Sequence, residues 1–256
     1  MDLWRARELL VMLTWRDIHI KYKQSVMGFL WAILMPGLIV AAGAIIRVGV
    51  ANWSGKSVDI RDIESVMVRA VLWAFIVGGV RFGTNSLTGN TNLVSKIAFP
   101  KETFPLAAVI SNLVDFGVSL SALFVVLLIL GWHPSVHILY FIPLLLVVVM
   151  FTSGLALLLS AANLFFRDVK YLVEIFLTYA IFFTPVLYEA EMLGKWQKTV
   201  MFNPFSPLLE GVSRVVIDHR TPDFLWTLYS AAASMFFLVV GYVYFKKLEA
   251  RFAESI

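Results

Sequence analysis

Six long apolar runs, separated by short polar segments, restrict what this 256-residue chain can fold into. A membrane-spanning helix needs about 20 mostly apolar residues, and nearly every run reaches that length. The chain is 60% hydrophobic and only 15% charged, whereas a soluble domain carries about 25% charged residues. We therefore expect an all-α membrane protein with six transmembrane helices in one domain, residues 1–256. The predicted spans cover roughly residues 27–48, 66–86, 104–131, 138–163, 171–188 and 224–245.

Residues 2–24 precede the first span and mix charged with large apolar side chains. On a helix they form two apolar stripes on nearly opposite faces, with charges between them. One stripe holds Trp4, Val11, Trp15, Ile18 and Tyr22, and the other holds Ala6, Leu9, Leu13 and Ile20. This pattern predicts an amphipathic interfacial helix with lipid on one side and protein on the other. The first apolar run starts only near Met27 and has full span length, so we expect no cleavable signal peptide.

Residues 189–222 contain two apolar pieces, around 192–202 and 205–217, that are each too short to cross a bilayer. The break between them reads Asn203-Pro204-Phe205-Ser206-Pro207. An even number of spans requires both ends of this region to lie on one side of the membrane. The segment therefore predicts two short re-entrant or surface-lying helices on the outer side, between spans 5 and 6.

The distribution of basic residues predicts the orientation of the spans. With the N-terminus inside, the inner segments hold about twelve Lys and Arg residues and the outer segments about six. Both termini are therefore expected in the cytoplasm, with the protein in the bacterial inner membrane. Positive charge in such flanks needs no nucleic acid to explain it, and we expect no nucleic-acid partner.

Catalytic and cofactor motifs are scarce in this sequence. The segment Gly49…Gly55-Lys56-Ser57 has five residues between its glycines, whereas a phosphate-binding loop needs four. The four histidines lie outside the predicted spans, and no His, Asp or Glu cluster has metal-ligand spacing. We therefore predict a transport subunit with no enzyme activity, metal or ATP site of its own.

Five ionisable residues lie within the predicted spans, and one of them, Glu174, falls near the inner end of span 5, where it can stay hydrated. Arg47 and Arg69 fall near outer ends, where their charged groups are expected to snorkel toward water. Arg81 and Asp115 fall deeper, at a similar level in spans 2 and 3. We predict that they form an ion pair joining the two spans, the alternative being that each faces water or backbone carbonyls separately.

Residues 14–36, TWRDIHIKYKQSVMGFLWAILMP, resemble the start of the membrane subunit of polysaccharide exporters of the type-2 ABC transporter family. The matching features are Arg16-Asp17, Lys21-Tyr22-Lys23-Gln24-Ser25, Gly28, Trp31 and Pro36. Phe166-Arg167-Asp168-Val169 is similar to the family's inner loop, and Asn203-Pro204 with Pro207 to its outer segment. The resemblance covers nearly the whole chain.

The resemblance implies a homodimer that exports a polysaccharide on a polyprenyl pyrophosphate carrier, working with two copies of a separate ATPase subunit that binds ATP and Mg. The family couples to that ATPase through the N-terminal helix and the loop between spans 2 and 3, here Trp4, Trp15, Arg16, Asp17, Leu93, Val94, Lys96, Ile97 and Phe99. We expect Arg16, Lys21 and Lys23 to attract the pyrophosphate, although ordinary positive-inside flanking explains them equally. Asn203, Pro204 and Pro207 would belong to the outer gate.

Aromatic side chains offer flat, weakly directional surfaces over which sugar rings can slide. We predict a pore lining of Tyr22, Trp31, Phe176, Tyr179, Phe183 and Tyr188, the alternative for most being lipid-facing packing. Two other functions stay open at this point. One is a type-2 ABC exporter of drugs or another lipid, and the other is a stand-alone channel or secondary carrier.

Overall fold

The computed structural model describes residues 6–23, 27–28, 30–54, 59–96 and 99–252, with side chains left out at 50–54. The described residues are helical and contain no strand, which confirms the all-α prediction. Short 3-10 segments occur at Thr88–Asn90, Val136–Tyr140 and Ala190–Trp196. The helices are α1 (Arg7–Lys23), α2 (Leu30–Ser54), α3 (Ile60–Asn85), α4 (Thr91–Lys96), α5 (Thr103–Ile129), α6 (Phe141–Phe165), α7 (Val169–Phe183), α8 (Gln197–Met201), α9 (Phe205–Val216) and α10 (Phe224–Glu249).

Five helical segments of the described chain are long and apolar enough to cross a membrane. They coincide, within several residues at each end, with predicted spans 1, 2, 3, 4 and 6: Leu30–Gly49, Ile60–Asn85, Thr103–Ile129, Val136–Phe165 and Phe224–Glu249. The predicted fifth span, 171–188, is shorter in the structure, since α7 ends at Phe183 after 15 residues. Such a helix is about 22 Å long, less than the bilayer core. The six-span count stays a prediction.

The early end of α7 has a local cause in the sequence. Thr184 precedes Pro185, whose ring disfavours helical backbone in the residue before it. Thr184 accordingly adopts an extended conformation, with φ −123° and ψ 137°. The chain then passes through the irregular segment 184–189, so the residues expected to complete a fifth span instead reach toward α3 and α9.

Helix α3 is the centre of the bundle. In its apolar stretch 72% of the residues are buried, against 17–44% in the other four candidate spans. Small residues allow its neighbours to approach closely, because a Cβ on Gly79 or Gly83 would lie 2.5 or 2.4 Å from side chains of α6. Helices α5 and α6 both pack against α3 and contact each other, and α10 packs against α6.

Two hydrophobic clusters define the ends of the bundle. One end is called here the α1 end, and its cluster buries Leu13, Leu87, Val94, Phe104 and Phe245 together. The opposite end is called the α9 end. At the α9 end, α9 is buried along most of its length against α3, α6 and α10. Its last turn is capped by Trp132, whose Nε1 donates to the Val216 carbonyl at 2.6 Å. Residues 189–222 thus contain two short helices, α8 and α9, whose re-entry into the membrane stays a prediction.

Helix α1 packs along α5 with one face and exposes the other. Ala6 and Leu13 are buried, while Val11 and Trp15 are more than 60% exposed, in agreement with the predicted two-sided helix. Ile20 departs from the prediction, because it is 68% exposed although it shares a stripe with Leu13. In the last turn of α1, Lys21 and Tyr22 take the position facing α5 instead.

Candidate functional site

A cavity of about 560 Å³ lies between the last turn of α1 and helices α2, α3, α5 and α7. Its walls are largely apolar and aromatic, and its polar side chains include a Lys, an Arg and an Asp. The apolar lining includes Trp31, Met35, Ile39, Phe75, Val77 and Ile181, and the charged side chains are Lys21, Arg81 and Asp115. A pocket of this size with a few polar groups suits a ligand that has both a hydrocarbon part and a charged part.

Asp115 on α5 holds the last turn of α1 at this cavity. Lys21 Nζ and the Tyr22 hydroxyl both contact its carboxylate. Burial raises the pKa of the Tyr22 phenol, and the hydrogen bond to Asp115 raises it further. The phenol therefore keeps its proton and donates. Lys21 Nζ also lies 4.2 Å from the centroid of the Phe82 ring, a cation–π contact between α1 and α3.

The predicted Arg81–Asp115 ion pair is wrong. Arg81 instead donates two hydrogen bonds to Glu174 on α7, at 2.6 and 2.7 Å, while Asp115 pairs with Lys21. The prediction compared only the depth of the two residues along their helices. Their facing directions decide the partners, because Arg81 points to α7 and Asp115 is within reach of α1. Glu174, for which the sequence predicted no partner, therefore holds Arg81 at the edge of the cavity.

Exchanging the charges of Arg81 and Glu174 tests this pairing. Both side chains are about 40% exposed, so the single variants R81E and E174R should each destabilise the protein by about 0.2–1 kcal/mol. The double variant should recover most of the loss, as measured by the Tm in detergent. The matched control is R81E combined with Asp115→Arg, which should recover nothing. Recovery in that control would restore the Arg81–Asp115 pair.

Pro36 creates a second connection across the cavity. It lies inside α2 and has no N–H to donate to the Ala32 carbonyl, four residues earlier. Ser119 Oγ on α5 donates to that carbonyl at 2.6 Å. A neighbour thus satisfies the free backbone group, as a proline in a membrane helix requires. Because of this bond, α2 is fixed to the same helix that holds α1.

A buried charged cluster, called here the Arg69 cluster, lies at the α9 end. Arg69 was expected to snorkel toward water, but it is completely buried in the structure. It donates to the Ser65, Pro185 and Tyr188 carbonyls and pairs with Glu189 and Glu210. The reason is the short α7, since the irregular segment that follows it supplies three of these five partners.

Two further contacts extend the Arg69 cluster to α2 and α9. Arg47 is buried and forms ion pairs with Asp62 and Glu189 at 3.1 and 3.3 Å, so it too does not snorkel. Glu210 on α9 also accepts a hydrogen bond from the Ala190 N–H at 2.8 Å. Burial raises the pKa of the Glu210 carboxyl, and the Arg69 guanidinium opposes that rise. The cluster joins α2, α3, the segment after α7 and α9.

Known proteins can now be compared with this arrangement. The sequence profile described as ABC-2 type transporter matches residues 8–217, more than four fifths of the chain. The chain belongs to the ABC-2 type transporter family. It is 28% identical to an O-antigen export system permease protein RfbA of Myxococcus xanthus, over all of this chain and 98% of that protein. It is 26% identical to two proteins of the same name from Klebsiella pneumoniae, over 97% of this chain and 95% of each of them.

The family membership confirms the resemblance inferred from residues 14–36, 166–169 and 203–207. Together with the five apolar helices, it makes this chain a multi-pass protein of the bacterial inner membrane. Within the described residues, no group of His, Cys, Asp and Glu is arranged to hold a metal ion.

Of the pore residues predicted for this ABC-2 transporter, the structure places two at the cavity, Tyr22 and Trp31. Phe176, Tyr179 and Phe183 are 60–71% exposed on one face of α7. The opposite face of α7 lines the cavity, through Leu177, Thr178 and Ile181. Tyr188 donates its hydroxyl to the Phe182 carbonyl. The predicted set therefore divides between the cavity and an outward aromatic face of α7.

The predicted gate residues join α7 to α9 and α10. Asn203 Nδ2 donates to the Thr184 hydroxyl at 2.8 Å, and its Oδ1 accepts from the Phe205 N–H at the start of α9. The Pro204 carbonyl accepts from Ser230 on α10. Pro207 is buried in the first turn of α9, where a missing N–H removes no helical hydrogen bond. Their gating role stays a prediction.

The predicted coupling residues of this ABC-2 transporter differ in how accessible they are. Trp15 is exposed on α1, and Arg16 pairs with its neighbour Asp17 at 2.8 Å. Val94 is buried in the cluster at the α1 end, so it is not free to enter a partner's groove. Leu93 and Phe99 are only partly buried against that cluster, and their coupling role stays a prediction. Lys96 is exposed. Trp4 and Ile97 lie outside the described residues, and Lys23 is exposed at the end of α1.

Proposed function

We propose that this chain is the transmembrane subunit of an ATP-driven exporter that moves an O-antigen-like polysaccharide, linked to polyprenyl pyrophosphate, out of the cytoplasm. The observation that carries the proposal is the similarity to O-antigen export permeases along the whole chain. The α1 end faces the cytoplasm, where two copies of a separate ATPase subunit bind ATP and Mg. The permease itself works as a homodimer.

The cavity supports a lipid-linked substrate rather than a free sugar. Its apolar walls suit an isoprenoid chain, and Lys21 and Arg81 place two cations near the region where a pyrophosphate would enter from the α1 end. Both cations are already paired with carboxylates, to Asp115 and Glu174. An arriving pyrophosphate would therefore compete with these carboxylates, and substrate binding would loosen the contacts between α1, α5, α3 and α7.

The connections around the cavity support a path from the ATPase to the pore. Asp115 holds α1 to α5, and the Ser119–Ala32 bond holds α5 to α2. Gly28 turns the chain between α1 and α2 with a φ of +49°, a conformation that glycine adopts without strain. A displacement of α1 by the ATPase would thus move α2. In the homodimer, α2 and the outward aromatic face of α7 would line the pore.

Purification and ATPase measurements test the proposed function. The permease should co-purify with an ATPase subunit, and the complex in nanodiscs should hydrolyse ATP several-fold faster with lipid-linked O-antigen than with the unsubstituted lipid carrier. Stimulation by drugs or another lipid instead would point to a different type-2 exporter. Transport by the purified chain with no ATPase would mean a channel or secondary carrier, and would contradict the proposal.

A further inference from the structure

A second cavity, of about 470 Å³, lies at the α1 end, apart from the first cavity, which Lys21 and Asp115 line. It is formed where the turn between α6 and α7 meets the segment between α3 and α4. The lining residues are Asn85, Thr88, Gly89, Thr91, Asn163, Leu164, Arg167 and Lys170. Arg167 and Lys170 carry its charge, and none of the described lining residues carries a carboxylate. The net charge of the cavity is therefore positive.

A buried amide fixes the shape of this cavity. Asn163 on α6 is completely buried and donates to the Thr84 carbonyl and to Thr88 Oγ1, at 3.1 and 3.3 Å. Its Oδ1 accepts from the backbone N–H of Lys170 at 3.1 Å. One side chain thus joins α3, the following turn and the start of α7. Because both amide hydrogens and the amide oxygen have partners within the protein, this side chain holds the cavity walls together.

The charges of Arg167 and Lys170 are not taken up by ion pairs in the part of the chain that the structure describes. Within the described residues, no carboxylate pairs with Arg167 or Lys170 among the ion pairs at 4.0 Å or less. Lys170 Nζ lies 4.8 Å from the centroid of the Tyr171 ring. The cavity offers two cations, the Thr91 hydroxyl and the exposed backbone of Gly89. Such donors suit an anion with several oxygen acceptors, such as a phosphate.

The surroundings of the cavity indicate where such a phosphate comes from. Phe166, Tyr171 and Leu172 flank the basic residues and are 61–71% exposed. The cavity also lies at the ends of α3 and α6 and the start of α7, the level at which membrane helices meet lipid headgroups. Exposed aromatic residues beside basic ones are typical of that level. These surroundings favour a membrane lipid as the source of the phosphate.

We propose that Arg167 and Lys170, with the hydroxyl of Thr91, form a binding site for the anionic phosphate headgroup of a membrane lipid. The headgroup would bridge the turn between α6 and α7 to the segment that leads into α4. Two lipids supply this chemistry: an anionic phospholipid of the bilayer and the pyrophosphate of the substrate's carrier. The phospholipid case is independent of the proposed function, whereas the carrier case rests on it.

Native mass spectrometry of the full chain in detergent tests the site, with phosphatidylglycerol, phosphatidylcholine and farnesyl pyrophosphate as probes. The double variant R167Q/K170Q should bind phosphatidylglycerol about 30-fold more weakly than the unaltered protein, because each basic residue beside an anionic lipid contributes about fivefold. The single variants should lose about fivefold each, which keeps the test informative if the double variant folds poorly. Phosphatidylcholine binding should not change. The matched control is K247Q, which removes an exposed cation at the same end of the bundle, on α10.

The outcomes separate the two lipids and the alternatives. Loss of phosphatidylglycerol binding in the variants, but not in K247Q, supports a bilayer phospholipid. Loss confined to farnesyl pyrophosphate supports the carrier. If both probes bind the variants as tightly as the unaltered protein, or if K247Q weakens them equally, the proposal is overturned. If the variants bind lipid normally but no longer co-purify with the ATPase subunit, the proposal is also overturned. The cavity would then be a contact site for that protein. Because none of these measurements requires transport, they can fail while the proposed function holds.

Discussion

Replacing Arg69 with methionine should lower the free energy of unfolding by about 3–5 kcal/mol, the usual cost of breaking a buried ion pair by removing one partner. The variant keeps the volume of the side chain but leaves Glu210 buried without its cation, and three backbone carbonyls lose a donor. Chemical unfolding in detergent, followed by circular dichroism, measures the change. The Tm should fall in parallel.

Two further variants show whether the loss comes from the buried charge. R69M combined with Glu210→Gln should recover part of the stability, because the amide is neutral and its oxygen can still accept from the Ala190 N–H. R61M alters an exposed arginine on the same helix and should change the stability by less than about 0.5 kcal/mol. Equal losses in R69M and R61M would contradict the role of the Arg69 cluster.

The effect of R69M should also depend on pH. Without the guanidinium, the pKa of the buried Glu210 carboxyl rises further above its value in the unfolded chain. Because the pKa of this carboxyl is higher in the folded chain than in the unfolded chain, the carboxyl destabilises the fold only when it is ionised. Its ionised fraction increases with pH, so the destabilisation increases as well. The deficit of R69M should therefore be smaller at about pH 5 than at about pH 8.

Gly241→Ala should separate α10 from α6. A Cβ on Gly241 would lie 2.4 Å from the backbone oxygen of Gly154, which has no side chain that could move aside. The helices must then shift apart along their whole contact, at a cost of about 1–3 kcal/mol or more. Since α10 also holds Pro204 through Ser230, the shift should loosen the start of α9. The Tm in detergent and hydrogen exchange at α9 measure the two effects.

The matched control for G241A is Gly117→Ala on α5. A Cβ at Gly117 meets no atom within 4 Å, and alanine is about 1 kcal/mol more favourable than glycine inside a helix. G117A should therefore be neutral or slightly stabilising. A G241A protein as stable as G117A would show that α6 and α10 do not pack closely through these glycines.

The sequence by itself determined the helical class, the positions of five apolar helices and the family. These depend on local features: a run of about 20 apolar residues must span or be buried, whatever surrounds it. The two short helices in 189–222 followed in the same way, from the break at Asn203-Pro204. A proline at position 36 by itself implies a carbonyl in α2 that lacks its helical donor, whereas the partner of that carbonyl, Ser119, is known only from the structure. The membership in the ABC-2 family rests on motifs that are contiguous in the chain.

Only the tertiary structure decided which charged groups meet. Depth along a span can be counted from the sequence, but the direction in which a side chain points depends on how each helix is rotated against its neighbours. That is why Arg81 pairs with Glu174, and Asp115 with Lys21 and Tyr22. The burial of Arg69 depended on the early end of α7, which brings Glu189 and the Tyr188 carbonyl to α3. The cavity at Asp115 is lined by five helices, and the basic site at Arg167 joins two stretches that lie far apart in the chain, 85–91 and 163–170, so no local pattern could have predicted them.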